Sequence, residues 1–151
     1  TLNTGLLAHL GRAGKSIALR VGRTLAKYGI EKQGALFGLA ALLGAKLLPL
    51  PAQLRLGIDQ MQSGYRKMSQ AVGEELRLGV QDRGDRWAYV AETCPMCAGK
   101  HADEPICWAF TGVLIESILW LTGKEFGVEE VECRAAGAPA CVWEIAKSPK
   151  E

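Results

Sequence analysis

The sequence has no apolar run long enough to span a bilayer. Its longest, Ala35 to Leu50, is interrupted by Lys46 and contains Gly38 and Gly44. It falls short of the roughly 20 residues that a spanning helix needs, so a buried helix or a pocket wall is expected there. No charged start, apolar stretch and small-residue cleavage site opens the sequence, and a cytoplasmic location is expected. A large excess of one charge is also missing. A net charge of +2, with 23% charged and 48% hydrophobic residues, indicates neither disorder nor a nucleic-acid-binding surface. Two nucleotide motifs are absent. There is no Gly-x-Gly-x-x-Gly, and Gly11-Arg-Ala-Gly14-Lys15-Ser16 has the tail of a phosphate-binding loop with His9 where the first glycine is required. Hydride transfer needs a nicotinamide or flavin, and no motif to hold one is present, so reduction by this polypeptide alone is not expected. No repeat or low-complexity segment is visible.

What is present fits one domain over residues 1–151, long enough to bury a core without disulfides. Residues 1–72 read as mainly helical. From Leu6 to Tyr28 apolar residues recur at helical spacing while Arg12, Lys15, Arg23 and Lys27 share a face, with Gly29 as the expected terminator. That basic stripe is either a solvated face or a peripheral contact with an anionic membrane or partner. Leu54, Ile58, Met61, Tyr65, Met68 and Val72 step by four and three, giving a second amphipathic helix. Its methionines suit either core packing or an adaptable pocket wall.

Residues 73–147 change period. Leu76, Leu78 and Val80 alternate with Arg77 and Gly79, the turn residues Asp82-Arg83-Gly84-Asp85 follow, and Trp87 to Val90 completes a β-hairpin. Cys107 to Leu121 carries Glu116 as its only charge and reads as a buried helix closed by Gly123. Two strands near Val128–Arg134 and Cys141–Ala146 end the pattern, joined through Ala136-Gly137-Ala138-Pro139. The expected class is α+β, an antiparallel sheet covered by helices.

Five cysteines, an odd number, crowd into the last third of the chain. Metal binding suits them better than a disulfide framework. Glu130-x-x-Cys133, then Cys141, with Cys107 upstream, offers three thiolates and a carboxylate, enough to fill the tetrahedral shell of a structural zinc ion. Residues three apart on a regular strand point to opposite faces, so Glu130 and Cys133 converge only where the strand bends or bulges. On spacing alone, simple burial of unpaired cysteines remains the alternative. Cys94-x-x-Cys97 with His101 leaves three readings open: thiols beside the metal site, a second metal or iron–sulfur cluster, or a redox pair.

The segment Cys94-Pro-Met-Cys97, Cys107, Thr111-Gly112, Thr122-Gly123-Lys124, Glu130-x-x-Cys133-Arg-Ala-x-Gly137 and Cys141-x-Trp143-Glu144 resembles the 4-vinyl reductase domain family over roughly residues 87–147. That family includes bacteriochlorophyll 4-vinyl reductase and the phenol- and xylene-sensing domains of bacterial activators. The resemblance implies zinc on Cys107, Glu130, Cys133 and Cys141. It also implies a fold like that of TRAPP subunits, a hydrophobic pocket between helices and sheet, and homodimerisation.

Three functions are therefore expected to compete. The first is a binding domain for a tetrapyrrole intermediate of (bacterio)chlorophyll synthesis or an aromatic hydrocarbon, with zinc as a clamp. The second is a component of vinyl-group reduction using a metal or cluster at Cys94 and Cys97. The third is a dimeric sensory or scaffold module. Trp87, Tyr89, Trp108 and Phe110 are the candidate pocket residues, with Trp87 and Tyr89 favoured because each carries a polar atom that can orient a ligand. Phe37, Trp120 and the stripe methionines could join them, though each also suits a core.

Overall fold

The computed structural model describes residues 2–33, 44–71, 73 and 75–151. Most of the Ala35–Leu50 run, including Phe37, and Val72 lie outside the described residues, as do the side chains of Leu6 and Arg12.

Helix α1 (Leu2–Gln33) kinks at Gly11 and is followed by α2 (Leu50–Ala71). The hairpin β1 (Leu78–Asp82) and β2 (Arg86–Ala91) comes next, then α3 (Trp108–Thr122), β3 (Phe126–Glu132) and β4 (Cys141–Pro149). The expected end of the first helix at Gly29 is corrected, because α1 runs through that glycine to Gln33. A glycine inside a helix costs only about 0.5–1 kcal/mol relative to alanine, which packing elsewhere along α1 outweighs.

All strand pairs are antiparallel, in the order β1-β2-β4-β3. Tyr89 stands opposite Val80 on one side and Trp143 on the other. Alternation puts Tyr89, Ala91, Cys141, Trp143 and Ile145 on one face, where they join Leu54 and Ile58 of α2 and Leu114 and Ile118 of α3 in the main core. On the opposite face Ala88, Val90, Ala140 and Val142 form a small cluster. There Glu144 accepts hydrogen bonds from Arg83 and Arg86, both at 3.1 Å. The architecture is the helix-covered antiparallel sheet that the change of period predicts.

Helix α3 begins directly after Cys107, and Gly123 closes it in the left-handed conformation, its N–H donating to the Leu119 carbonyl at 2.8 Å. It packs closely on α1 because both helices offer a glycine at the crossing. A methyl on Gly112 would fall 2.1 Å from the Leu19 carbonyl oxygen, and one on Gly22 would fall 1.8 Å from that of Ala109. Arg23 donates from Nε to Glu116 at 2.8 Å and so fixes the same pair of helices. Among the described residues no helix is long and apolar enough to cross a membrane.

Candidate metal centre and cavity

Glu130 pairs with Trp143, but Glu132 pairs with Val142, so β3 advances two residues where β4 advances one. The extra residue, Val131, is a bulge of the kind needed to bring Glu130 and Cys133 to one side. The expected strand is also shorter than Val128–Arg134 at its end. It stops at Glu132, and Cys133 leads into a 3-10 turn, Arg134–Ala136, whose Ala136 and Ala138 N–H groups both donate to the Cys133 carbonyl, at 3.0 and 3.2 Å. That turn carries the chain to Cys141 at the start of β4. Cys107 arrives from the opposite side, at the head of α3. The loop before it docks onto the turn through the Ala102 N–H and the Ala135 carbonyl, 2.9 Å apart.

The donor atoms of Cys107, Glu130, Cys133 and Cys141 consequently lie within 4.8 Å of one another, all buried. Cys133 Sγ is 3.9 Å from Cys107 Sγ and 4.0 Å from Cys141 Sγ. Zinc–sulfur bonds of about 2.3 Å in a tetrahedron place sulfurs about 3.8 Å apart, so these separations fit a single ion. Glu130 is only 8% exposed. Its Oε2 accepts the Cys107 backbone N–H at 2.8 Å, whereas its Oε1 is buried with no hydrogen-bond partner. An orphaned carboxylate oxygen facing three thiols is what a metal ligand looks like without its ion. The Arg134 N–H lies 3.4 Å from Cys141 Sγ, a contact that supports a thiolate there.

Cys94 and Cys97 join the same cluster from the loop after β2. Cys94 Sγ is 3.7 Å from Cys107 Sγ, and Cys97 Sγ is 3.4 Å from Cys141 Sγ. The donors of Cys94, Cys97, Cys107 and Cys141 form a second group within 4.8 Å. His101 is exposed and belongs to neither group. So many acidic groups packed together do not ionise together. Contacts from Cys107 and Cys141 drive the Cys94 pKa down to about 3. The same kind of contact, from Cys141 and Cys94, holds Cys107 protonated, and burial pushes the Glu130 carboxyl up. Coordination by a dication reverses this, since a ligating thiol loses its proton outright.

A second feature lies between the helices, a cavity of about 350 Å³. Leu25, Ala26, Gly29 and Ile30 of α1 form one wall, Met61, Tyr65 and Met68 of α2 another, and Phe110, Val113 and Ile118 of α3 a third. Burial pushes the Tyr65 hydroxyl up to about 12, so it stays a neutral hydrogen-bonding group. Phe110 reaches the cavity as expected. Tyr89 instead lines an adjoining void of about 60 Å³ beside Cys94, its hydroxyl buried without a partner.

Trp87 and Trp108 line neither space. Trp87 lies between Arg55 and Lys147, with ring-centroid distances of 4.6 and 4.0 Å, and its role is to carry those cations. Trp108 is buried at the head of α3 near Lys15. The stripe methionines do line the cavity, and so does Met96. Sequence reasoning missed Met96, because nothing in local periodicity shows that its loop folds back over α3. Of the basic stripe, Arg23 is tied to Glu116 and, at 3.5 Å, to Glu125, while Lys15 and Lys27 are exposed.

The family model for the vinyl-4-reductase domain matches residues 87–147, the span that carries the cysteines. The phenol-responsive sensory domain of the transcription activator PoxR, solved with phenol, superposes with a TM-score of 0.61. The identity is 17%, over 96% of this chain and 71% of that one. A vinyl-4-reductase family protein from Methanocaldococcus jannaschii gives a TM-score of 0.43 at 21% identity, over 72% of this chain and 77% of that one. No curated protein sequence matches. At these identities the structural likeness speaks for the fold.

Proposed function

We propose, for a chain whose residues 87–147 carry a vinyl-4-reductase domain, that the whole of it is one binding unit for an apolar small molecule, clamped by zinc on Cys107, Glu130, Cys133 and Cys141. The carrying observation is the cavity of about 350 Å³, walled by helices from both halves of the chain and lined almost wholly by apolar side chains. A dry apolar cavity of about 150 Å³ admits benzene, so this one has room for an aromatic hydrocarbon of two rings. A tetrapyrrole, with four rings and their substituents, would not be enclosed. Tyr65 supplies a neutral hydroxyl to orient a polar substituent, as sparse polar groups do in such sites. The likeness to a phenol-responsive sensory domain agrees with this reading.

Three thiolates and a carboxylate complete a tetrahedral shell, which leaves no place for a reactive water and makes the ion structural. It would join the head of α3 to both ends of the β3–β4 connection. The reductive alternative is less well supported, because no cysteine lines the main cavity and Cys94 borders only the smaller void.

The test is a titration of the purified chain with naphthalene or 1-naphthol, followed by calorimetry and thermal unfolding. Saturation at about a hundred times Kd should stabilise the fold by about 2.7 kcal/mol. Val113→Trp, which fills the cavity, should abolish binding while the protein still unfolds cooperatively. Equal binding by this variant would exclude the cavity as the site, and no binding by the native chain would exclude the reading.

A further inference from the structure

The two groups of metal-ligand donors are not separate. Cys94, Cys97, Cys107 and Cys141 make one, Cys107, Glu130, Cys133 and Cys141 make the other, and Cys107 and Cys141 belong to both. We propose that the site holds two divalent metal ions, bridged by the thiolates of Cys107 and Cys141, with Cys94 and Cys97 completing one tetrahedron and Glu130 and Cys133 the other. This rests on the single-ion reading for its shared ligands and goes beyond it in giving Cys94 and Cys97 a metal of their own.

The geometry supports it on both sides of the shared edge. Cys94 and Cys97 approach Cys107 and Cys141 to 3.7 and 3.4 Å, and Cys133 approaches them to 3.9 and 4.0 Å. Each of these is close to the ligand-to-ligand spacing of about 3.8 Å in a tetrahedral zinc–thiolate centre. All six groups are more than nine-tenths buried, so each needs a partner within the protein. Two metal ions about 3.5–4 Å apart are a recurrent arrangement in proteins with shared ligands.

Charge gives a second, independent argument. With one dication on Cys107, Glu130, Cys133 and Cys141, four ligand anions leave a net charge of minus two, and Cys94 and Cys97 remain as neutral thiols. A second dication displaces the two protons of those thiols and adds two positive and two negative charges. The buried site keeps the same net charge while two unligated thiols become ligands. The second ion therefore adds no electrostatic burden to the core, and its cost is the release of two protons to solvent. Zinc, cobalt(II) and cadmium(II) have the required preference for sulfur in a tetrahedron.

The experiment uses the full chain, reduced and then freed of thiol reagent under anaerobic conditions. After zinc loading and desalting, metal analysis should give two equivalents per chain, and Cys94→Ser/Cys97→Ser should give one. Titration with cobalt(II) should raise the sulfur-to-cobalt charge-transfer band up to two equivalents. The paramagnetic signal should rise over the first equivalent and fall over the second, as bridging sulfurs couple the two ions. That signal decides the matter in the native protein even if the double variant folds poorly. Saturation at one equivalent, uncoupled cobalt, or two equivalents retained in a folded Cys94→Ser/Cys97→Ser would overturn the proposal and leave the single-ion reading standing. No tight metal at all would overturn both.

Discussion

Glu130 holds a carboxyl where water has little access, with one oxygen satisfied by the Cys107 N–H and the other by nothing in the protein. Burial pushes its pKa above the ordinary 4.5. An acid whose folded pKa is raised contributes stability below its unfolded pKa and loses it as pH rises through the folded value. In metal-free protein Glu130 should therefore become a growing liability from pH 4.5 upward, a liability that a bound cation removes. Glu130→Gln separates the two effects. The amide can still accept the Cys107 N–H but supplies no charge, so zinc should bind at least tenfold more weakly in competition with a chromophoric chelator. In the metal-free state the same variant should be as stable as the native chain or more so at pH 7. Unchanged zinc affinity would remove Glu130 from the ligand set.

At the scale of elements, α1 and α3 depend on two glycines that allow their backbones to meet. Gly112→Ala sets a methyl against the Leu19 carbonyl, a backbone atom that has no way to rotate aside. Overpacking of this kind costs about 1–3 kcal/mol, which urea unfolding would read directly. Gly29→Ala lies in the same helical pair with nothing within 4 Å of the new methyl, and should stabilise by up to about 1 kcal/mol. Equal effects from the two substitutions would show that the helices do not touch at Gly112.

Much of the element order was legible because it rests on local chemistry: the period-two runs around Val80 and Trp87, the Asp82–Asp85 turn, and the apolar stretch from Cys107 to Gly123. The glycine pair was not, since a glycine used for close approach and one used to end a helix look alike in a single sequence, which is why Gly29 reads as a terminator. The pairing of Glu130 with Cys133 was legible as a requirement for a bulge, but its place at Val131 depends on register with β4. That Cys94 and Cys97 share two neighbours with Glu130 and Cys133 is purely tertiary, set by the docking of Ala102 on Ala135. Trp87 shows the limit of residue type as a guide, because its polar atom and its strand face fit a ligand site as well as they fit a contact with Arg55 and Lys147.

Over the whole molecule the metal centre and the cavity are mechanically joined. Met96 stands between Cys94 and Cys97 in sequence and lines the cavity wall, so the loop that presents two thiols inward also closes part of the cavity. Phe110 continues the connection from the other side. It packs on Trp143 at 4.8 Å between ring centroids, and Trp143 donates from Nε1 at 3.0 Å to Thr111, one turn after Cys107. An ion that fixes the loop and the head of α3 should therefore fix the cavity too, and removing it should let Met96 and Phe110 move. Chelated protein should bind 1-naphthol several-fold more weakly than zinc-loaded protein. Coupling between two binding equilibria is reciprocal, so naphthol must raise zinc affinity by the same factor. Val113→Trp, which closes the cavity without touching the ligands, should leave zinc affinity unresponsive to naphthol. Equal naphthol affinity in the loaded and stripped states would mean that the two sites share a domain but no energetics.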